Sequence, residues 1–268
     1  MKYSLTHHHG LGNDFLVFDL DQGTPQQQWP DLARRWCDRS AGGGADGLLI
    51  LHRRSATDLT MILFNADGSR AEMSGNGIRC LVQAAHQNND LGAGTQYTVS
   101  TDAGERKATV LSVAIDDTLQ ISVDMGTVEA ISEPTQWQLM ECHPDRPTRH
   151  LSVGNPHSVV GVDDVSLVDL KSLGEKVPHI NLEIIEPGPE PHAITMRVHE
   201  RGAGITQACG TGACAAAEAA LAWGLVPRST QEVLVHMDGG DARVRIDDNR
   251  RAILIGPSVF LNTVTVNV

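Results

Sequence analysis

Residues 71–81 read AEMSGNGIRCL and residues 206–216 read TQACGTGACAA. Each stretch holds a tetrad of one form: a nucleophile, Gly, a polar residue, Gly. The first is Ser74-Gly75-Asn76-Gly77 and the second is Cys209-Gly210-Thr211-Gly212. A β-type run enters each through a polar loop, Leu59 to Phe64 before the first and Ile194 to Arg201 before the second. A helical pattern follows each. Ile78 to Asn89 carries apolar residues at 78, 81, 82, 84 and 85, a broad buried face. Ala213 to Leu225 is Ala-rich, with excellent helix propensity. The same strand, loop, tetrad and helix occurring twice is an internal repeat, and it predicts two similar halves.

Working outward, Tyr3 to Leu20 reads as strand, loop, strand around Gly10-Leu11-Gly12-Asn13-Asp14. Residues 29–38 suit a short amphipathic helix, and Ser40 to Gly47 a loop before the strand GLLILHR. The runs TQYTVST, KATVLSVAI and LQISVDM close the first half, and residues 126–150 are turn-rich. The second half repeats the plan. HLSVGNPHSVVGV is strand, turn, strand, residues 164–176 are partly helical, and EVLVHM, ARVRID, AILIGP and VFLNTVTVNV follow as strands. A chain of 268 residues suits two domains of about 130 residues each, with a boundary near Val123 to Gly126.

Composition narrows the function. Aromatics are only 4%, so Val, Ile, Leu and Ala must fill the core. The formal charge of −12 and a pI near 5.4 oppose nucleic acid and anionic membrane surfaces as partners. The N-terminal stretch lacks a signal-peptide pattern, and no run approaches the ~18 apolar residues of a membrane span. Five cysteines, an odd number without CxxC spacing, point to a reducing cytoplasm with free thiols and to no zinc site. The run His7-His8-His9 tempts a metal reading. Alternate strand residues face opposite ways, so no metal is expected there. No GxGxxG opens a βαβ unit, GxxxxGK[ST] is absent, and no cofactor is expected.

A tetrad at a helix N-terminus has chemical consequences. Its glycines let backbone N–H groups approach a ligand, and the unsatisfied amides and the helix dipole favour an anion. A thiol there is expected to ionise more easily. Two such ends acting on one small zwitterion would hold its carboxylate and put a side chain on each face of the neighbouring carbon. That suits removal of an α-proton on one face and delivery of a proton on the other. Either tetrad alone would also serve as an ordinary Gly-rich helix cap, with Ser74 or Cys209 as the capping residue.

The motifs HGLGNDF (His9 to Phe15), GADGLL (Gly44 to Leu49), FNADGSRAEMSGNGIRC (Phe64 to Cys80), GNPH (Gly154 to His157) and RVHERGAGITQACGTGACAA (Arg197 to Ala216) occur in this order across nearly the whole chain. In that order and spacing the chain resembles the diaminopimelate epimerase family. The resemblance implies an α/β (α+β) fold of two pseudo-symmetric domains, each a β-barrel-like sheet around a central helix, with the active site in the interdomain cleft. It implies domains at 1–123 plus 258–268 and at 124–257, the last strand returning to the first domain. The implied protein is a cytoplasmic homodimer that interconverts LL- and meso-diaminopimelate by two-base proton transfer. It does so without pyridoxal phosphate, in the route to lysine and peptidoglycan. Carried over by motif, Cys209 and the tetrad position Ser74 are catalytic, with His157 and Glu200 close to the reacting groups. The amides of Gly75, Asn76, Gly210 and Thr211 hold the α-carboxylate. Asn13, Asn65, Asn155, Asn181, Glu200 and Arg201 read the rest of the amino-acid substrate. Asn13, Asn65 and Asn155 sit beside Asp, Ala or Pro in loops and also suit turn formation, and Glu200-Arg201 also reads as a surface ion pair. Cys80 and Cys214 read as small buried residues within helices.

The chain departs from the family at Ser74, where the family has a second catalytic cysteine. A hydroxyl is far less acidic than a thiol. Three readings follow: a substitution of the natural cysteine that impairs turnover, a natural variant in which His157, Glu200 or water assists Ser74, or a shifted reaction. The shifted reaction would be a dehydratase or isomerase of proline racemase type acting on another amino acid. A catalytically impaired protein that only binds substrate is a further alternative. A second departure is Gly47 after Asp46, which removes a possible side-chain contact, and a third is His7-His8 before His9.

Overall fold

The computed structural model describes residues 2–26, 28–87 and 91–267. The chain divides into two compact units, Met1–Val123 with Gly256–Val268, and Asp124–Ile255. In chain order the elements are β1 (Lys2–Gly10), β2 (Asn13–Asp19), α1 (Trp29–Trp36), β3 (Gly47–Arg53), β4 (Asp58–Asn65), β5 (Arg70–Ala71), α2 (Gly75–His86), β6 (Gln96–Thr101), β7 (Gly104–Val113) and β8 (Leu119–Thr127). There follow β9 (Glu129–Ala130), β10 (Thr148–Ser152), β11 (Pro156–Gly161), α3 (Leu170–Lys176), β12 (Asn181–Pro187), β13 (Ala193–Glu200), β14 (Gly204–Thr206), α4 (Gly210–Trp223), β15 (Val233–Met237), β16 (Gly240–Ile246) and β17 (Arg251–Asn267).

In the first unit the strands pair in the order β17–β1–β2–β3–β4–β6–β7–β8. All pairs are antiparallel except β2–β3 and β4–β6. Those two are the places where a helix-bearing connection must return the chain in the same direction, by way of α1 and α2. Helix α2 is buried on every side, from Gly75 to His86. A helix with no solvent face cannot show a one-sided apolar stripe, and α2 includes the buried Arg79 and Gln83. Helix α1 instead buries Leu32, Ala33 and Trp36 and leaves its charges outside. Trp36 stacks on Phe18 at 5.8 Å, and Phe18 meets Tyr3 edge-on at 5.2 Å.

The second unit repeats the ladder as β9–β10–β11–β12–β13–β15–β16–β17. Its parallel pairs, β11–β12 and β13–β15, fall at the corresponding places. Helix α4 is buried from Gly210 to Ala220 and ends at Gly224, whose φ of 73° takes the left-handed cap that glycine adopts without strain. Its many alanines let β-strands approach it closely all round. Two expectations are corrected here. Helices were expected from Ile78 and Ala213. They begin at Gly75 and Gly210, because the tetrad glycines form the first turn and the residue before them is the cap. The expected end of the first helix at Asn89 lies outside the described residues. Among the described residues no helix is long and apolar enough to cross a membrane.

Candidate active site

Ser74 is the N-cap of α2 in extended conformation, and its Oγ accepts the Gly77 N–H at 3.0 Å. Of the amides that begin the helix, this leaves those of Gly75 and Asn76 for a ligand. The Asn76 side chain is buried. Its Nδ2 donates to Asn13 Oδ1 at 3.2 Å, and its Oδ1 accepts from Arg79 Nη2 at 2.6 Å. Arg79 also donates to the carbonyls of Pro257 and Gly75. A Cβ on Gly10 would lie 3.1 Å from Arg79 Nη2, so glycine there makes room for the guanidinium. Asn13 donates to Asp46 Oδ2 at 2.8 Å, and Arg39 bridges Asp46 and Asp14. Burial pushes Asp14 up, but hydrogen bonds from His7 and Arg39 outweigh it and hold its carboxyl below the usual range.

Asn65 takes a different part. Its Nδ2 donates to Ser69 Oγ at 2.9 Å while its backbone closes the turn with Ser69 and Gly68. At Gly47 a Cβ would meet Phe64 O at 2.9 Å and the Phe15 ring at 3.1 Å, so this packing admits no side chain there. The three histidines of β1 part company: His7 pairs with Asp14, His8 with Gln83, and His9 accepts the Gly12 N–H.

Cys209 caps α4 as Ser74 caps α2, its Sγ accepting the Gly212 N–H at 3.3 Å. The Gly210 and Thr211 amides stand where those of Gly75 and Asn76 stand in the first unit. Thr211 Oγ1 lies 3.5 Å from the sulfur and accepts from Asn155 Nδ2 at 3.3 Å. Asn155 Oδ1 meets His157 Nε2 at 2.9 Å. His157 Nδ1 meets Glu183 Oε1 at 2.6 Å, with both side chains fully buried. Glu200 accepts from Thr206 Oγ1 at 2.5 Å. Asn181 Oδ1 accepts the Arg201 N–H at 2.9 Å and its Nδ2 donates to Pro156 O. The expected Glu200–Arg201 surface pair does not form. The carboxylate turns to Thr206, while Arg201 is exposed.

The thiol expectation is reversed. Cys209 is 5% exposed, and burial together with the charges of Glu200 and Glu183 raises its pKa well above the ordinary thiol value. The Gly212 amide and Thr211 pull the other way and do not prevail. Burial likewise raises Glu200, against the hydrogen bond from Thr206. Helix-end stabilisation of a thiolate presumes contact with water and no competing anion, and neither holds here. Cys80 is fully buried, and its thiol is pushed up to about 12.

Of the expected residues of the second unit, Cys209, Thr211, Asn155 and His157 form one hydrogen-bonded chain, Asn181 holds the Arg201 amide in a turn, and Glu200 is held by Thr206. In the first unit Asn13, Gly75 and Asn76 gather at the head of α2, whereas Asn65 is taken up by its own turn. Sequence reasoning missed Glu183, Thr206, Arg79 and the Arg39–Asp46 bridge. A signal for Glu183 was present: in NLEII, residues 181–185, it shares the parity of Asn181 in an otherwise apolar strand.

The diaminopimelate epimerase family description matches residues 5–131 and 150–261. A diaminopimelate epimerase of Desulfitobacterium hafniense is 36% identical over 274 residues, covering 94% of each chain. One from Oceanobacillus iheyensis is 33% identical, covering 98% of this chain and 97% of its own. Among solved structures, a Bacillus anthracis phenazine biosynthesis protein of the PhzF family aligns with a TM-score of 0.77 at 14% identity over 100% of both chains. A hydroxyproline epimerase from Agrobacterium vitis aligns at 0.68 and 16%, covering 99% of this chain and 91% of its own. At such identities these two share the fold.

Proposed function

The chain belongs to the diaminopimelate epimerase family, and on that premise we propose that it interconverts LL- and meso-diaminopimelate by moving the α-proton. The observation that carries the mechanism is the seat of Cys209 at the head of α4, its Sγ accepting the Gly212 N–H at 3.3 Å and lying 3.5 Å from Thr211 Oγ1, with the Glu200 charge near enough to act on the thiol. Burial raises both the Cys209 thiol and the half-buried Glu200 carboxyl, so each is discouraged from losing its proton. In the direction that removes the α-proton, Glu200 takes the thiol proton. The thiolate then takes the α-proton, and the Cα–H electron pair stays on the substrate as an enolate-like anion. In the reverse direction the thiol returns its proton to that carbon and Glu200 reprotonates the sulfur. The Gly210 and Thr211 amides support the reading, since they point unspent N–H groups at the place where carboxylate charge grows. Gly75 and Asn76 offer the same pair in the first unit. Exposed Arg201 suits a second carboxylate, and Asn13, Asn155 and Asn181 suit the ammonium groups. His157 acts beside the carboxylates rather than on the sulfur directly. Metal and pyridoxal phosphate have no part in this scheme.

Ser74 sits in the family's second cysteine position and makes the same cap bond as Cys209. It supplies a hydrogen-bond donor there and is a weak base. The 1–123 and 256–268 segments thus form the weaker half-site domain and 124–255 the stronger. Placement in lysine and peptidoglycan precursor synthesis, a cytoplasmic location and a homodimeric state complete the proposal. Light scattering after size exclusion reads the last of these.

The deciding experiment is α-proton exchange in D₂O with LL- and meso-diaminopimelate, on this protein and on Ser74→Cys in parallel. Epimerisation should rise about 10²- to 10⁴-fold in Ser74→Cys, the range typical of general acid–base groups. Exchange in neither protein removes the reading. Equal rates in the two would make Ser74 a competent partner of Cys209.

A further inference from the structure

We propose that Glu183 is a positioning residue for the reaction, holding the His157 ring in the orientation that the Cys209 half-site requires. This rests on the epimerase reading above. The starting observation is the buried contact itself, 2.6 Å between His157 Nδ1 and Glu183 Oε1, with neither side chain exposed. Removing an ionisable pair from water is costly, and well-packed apolar residues in its place are often neutral or stabilising. Such a pair therefore needs a reason.

The first unit shows that the fold is not the reason. In its parallel ladder Phe15 lies opposite Gly47, and Leu49 follows two residues on. In the second unit His157 lies opposite Asn181, and Glu183 follows two residues on. The two pairs hold corresponding register positions beneath corresponding helices. A Cβ on Gly77 would meet Leu49 Cδ2 at 3.3 Å, and one on Gly212 would meet Glu183 Oε1 at 2.7 Å. The same architecture is thus completed by Phe and Leu in one copy and by His and Glu in the other.

The surroundings show what the pair does instead. The same Cβ on Gly212 would lie 3.3 Å from Cys209 Sγ, so Glu183 and the thiol crowd one small volume at the head of α4. Glu183 fixes one ring nitrogen of His157. The other then faces Asn155, which continues to Thr211 and the sulfur. Both ring nitrogens thus face an oxygen acceptor, and the carboxylate behind the histidine keeps the ring from turning. Glu183 Oε2 is buried without a hydrogen-bond partner, so the carboxylate is held from one side only and owes its placement to His157 and the helix end.

The test is a double-mutant cycle on the intact protein, read by α-proton exchange. Glu183→Gln should lower kcat about 10- to 100-fold, with KM changed less than about threefold and the melting temperature preserved. In a His157→Phe background the same Glu183→Gln change should have a markedly smaller effect, because Glu183 acts mainly through His157 and only its charge reaches the thiol directly. The His157→Phe/Glu183→Leu double variant copies the first unit and should fold at least as stably as the parent, which guards against simple unfolding. A Glu183→Gln rate within threefold of the parent, or losses that multiply in the His157→Phe background, would overturn the proposal. A second readout needs no substrate. In histidine-labelled protein the His157 Nδ1–H resonance should be present in the parent and lost in Glu183→Leu. If the parent exchanges no proton, the epimerase reading fails. The resonance still decides whether Glu183 holds the ring.

Discussion

The two units are built on one ladder plan and differ in what they place beneath the helix that the tetrad caps. At the cap stand Ser74 and Cys209, beside the ladder Phe15 and His157, beneath the helix Leu49 and Glu183, and at the strand end Asn65 and Glu200. The contrast extends to the ninth residue of each helix. Gln83 meets His8 at 3.0 Å in the first unit, while Glu218 meets Arg149 at 3.2 Å in the second. At each of these positions the second unit carries an ionisable or acid–base group where the first carries a neutral or weaker one. A pseudo-symmetric scaffold therefore does not imply symmetric chemistry. Packing constrains the volume at each position, and charge can be added on one side wherever partners satisfy it.

The largest effect should separate the two caps. Cys209→Ala should lower α-proton exchange by about 10³-fold, while Ser74→Ala should change it by less than about tenfold. Equal losses would break the comparison by making the caps equivalent. Exchange measured by mass spectrometry at saturating substrate is sufficient to tell.

The next effect compares the glycines behind the caps. Gly212→Ala would press a methyl group against Glu183 Oε1 and should reduce exchange by about tenfold through displacement of the carboxylate. Gly77→Ala meets only Ser74 and Leu49 atoms beyond 3.1 Å. Its helix-propensity gain of up to about 1 kcal/mol should nearly offset the crowding. Denaturant melts and exchange rates on both variants sharpen the assignment of Glu183 or remove it.

The last effect leaves the rate untouched and is read on stability as a pH slope. Burial lowers His8 to about 4 from an ordinary 6.5. The folded state thus refuses a proton that the unfolded state accepts. Stability is full above pH 6.5, falls as pH drops from 6.5 to 4, and is level below 4. The loss is at most about 3 kcal/mol. His8→Gln should flatten that part of the stability–pH curve, and an unchanged curve would mean that His8 is charged in the folded protein.

Much of the architecture was legible in the sequence because it repeats. Two tetrads, each between a β-run and a helical run, announce two equivalent units, and the glycines announce helix starts. The Asn13–Asn76 and Asn155–Thr211 bonds could not be read that way, since 63 and 56 residues separate the partners. Asn65, expected to read the substrate, also closes its own turn by donating to Ser69 Oγ, a local bond of the kind that loop Asn residues make.

What the sequence by itself determined was the repeat, the capping positions Ser74 and Cys209 and the inequality between them, all of which are local properties of chain order and residue type. The tertiary structure alone decided which way the Cys209 thiol is shifted. A helix end read locally lowers a thiol's pKa, yet Glu183 and Glu200 arrive from separate strands and burial removes water, and together they push it up. Electrostatics sums over everything nearby in space, and proximity in space is what chain order does not record.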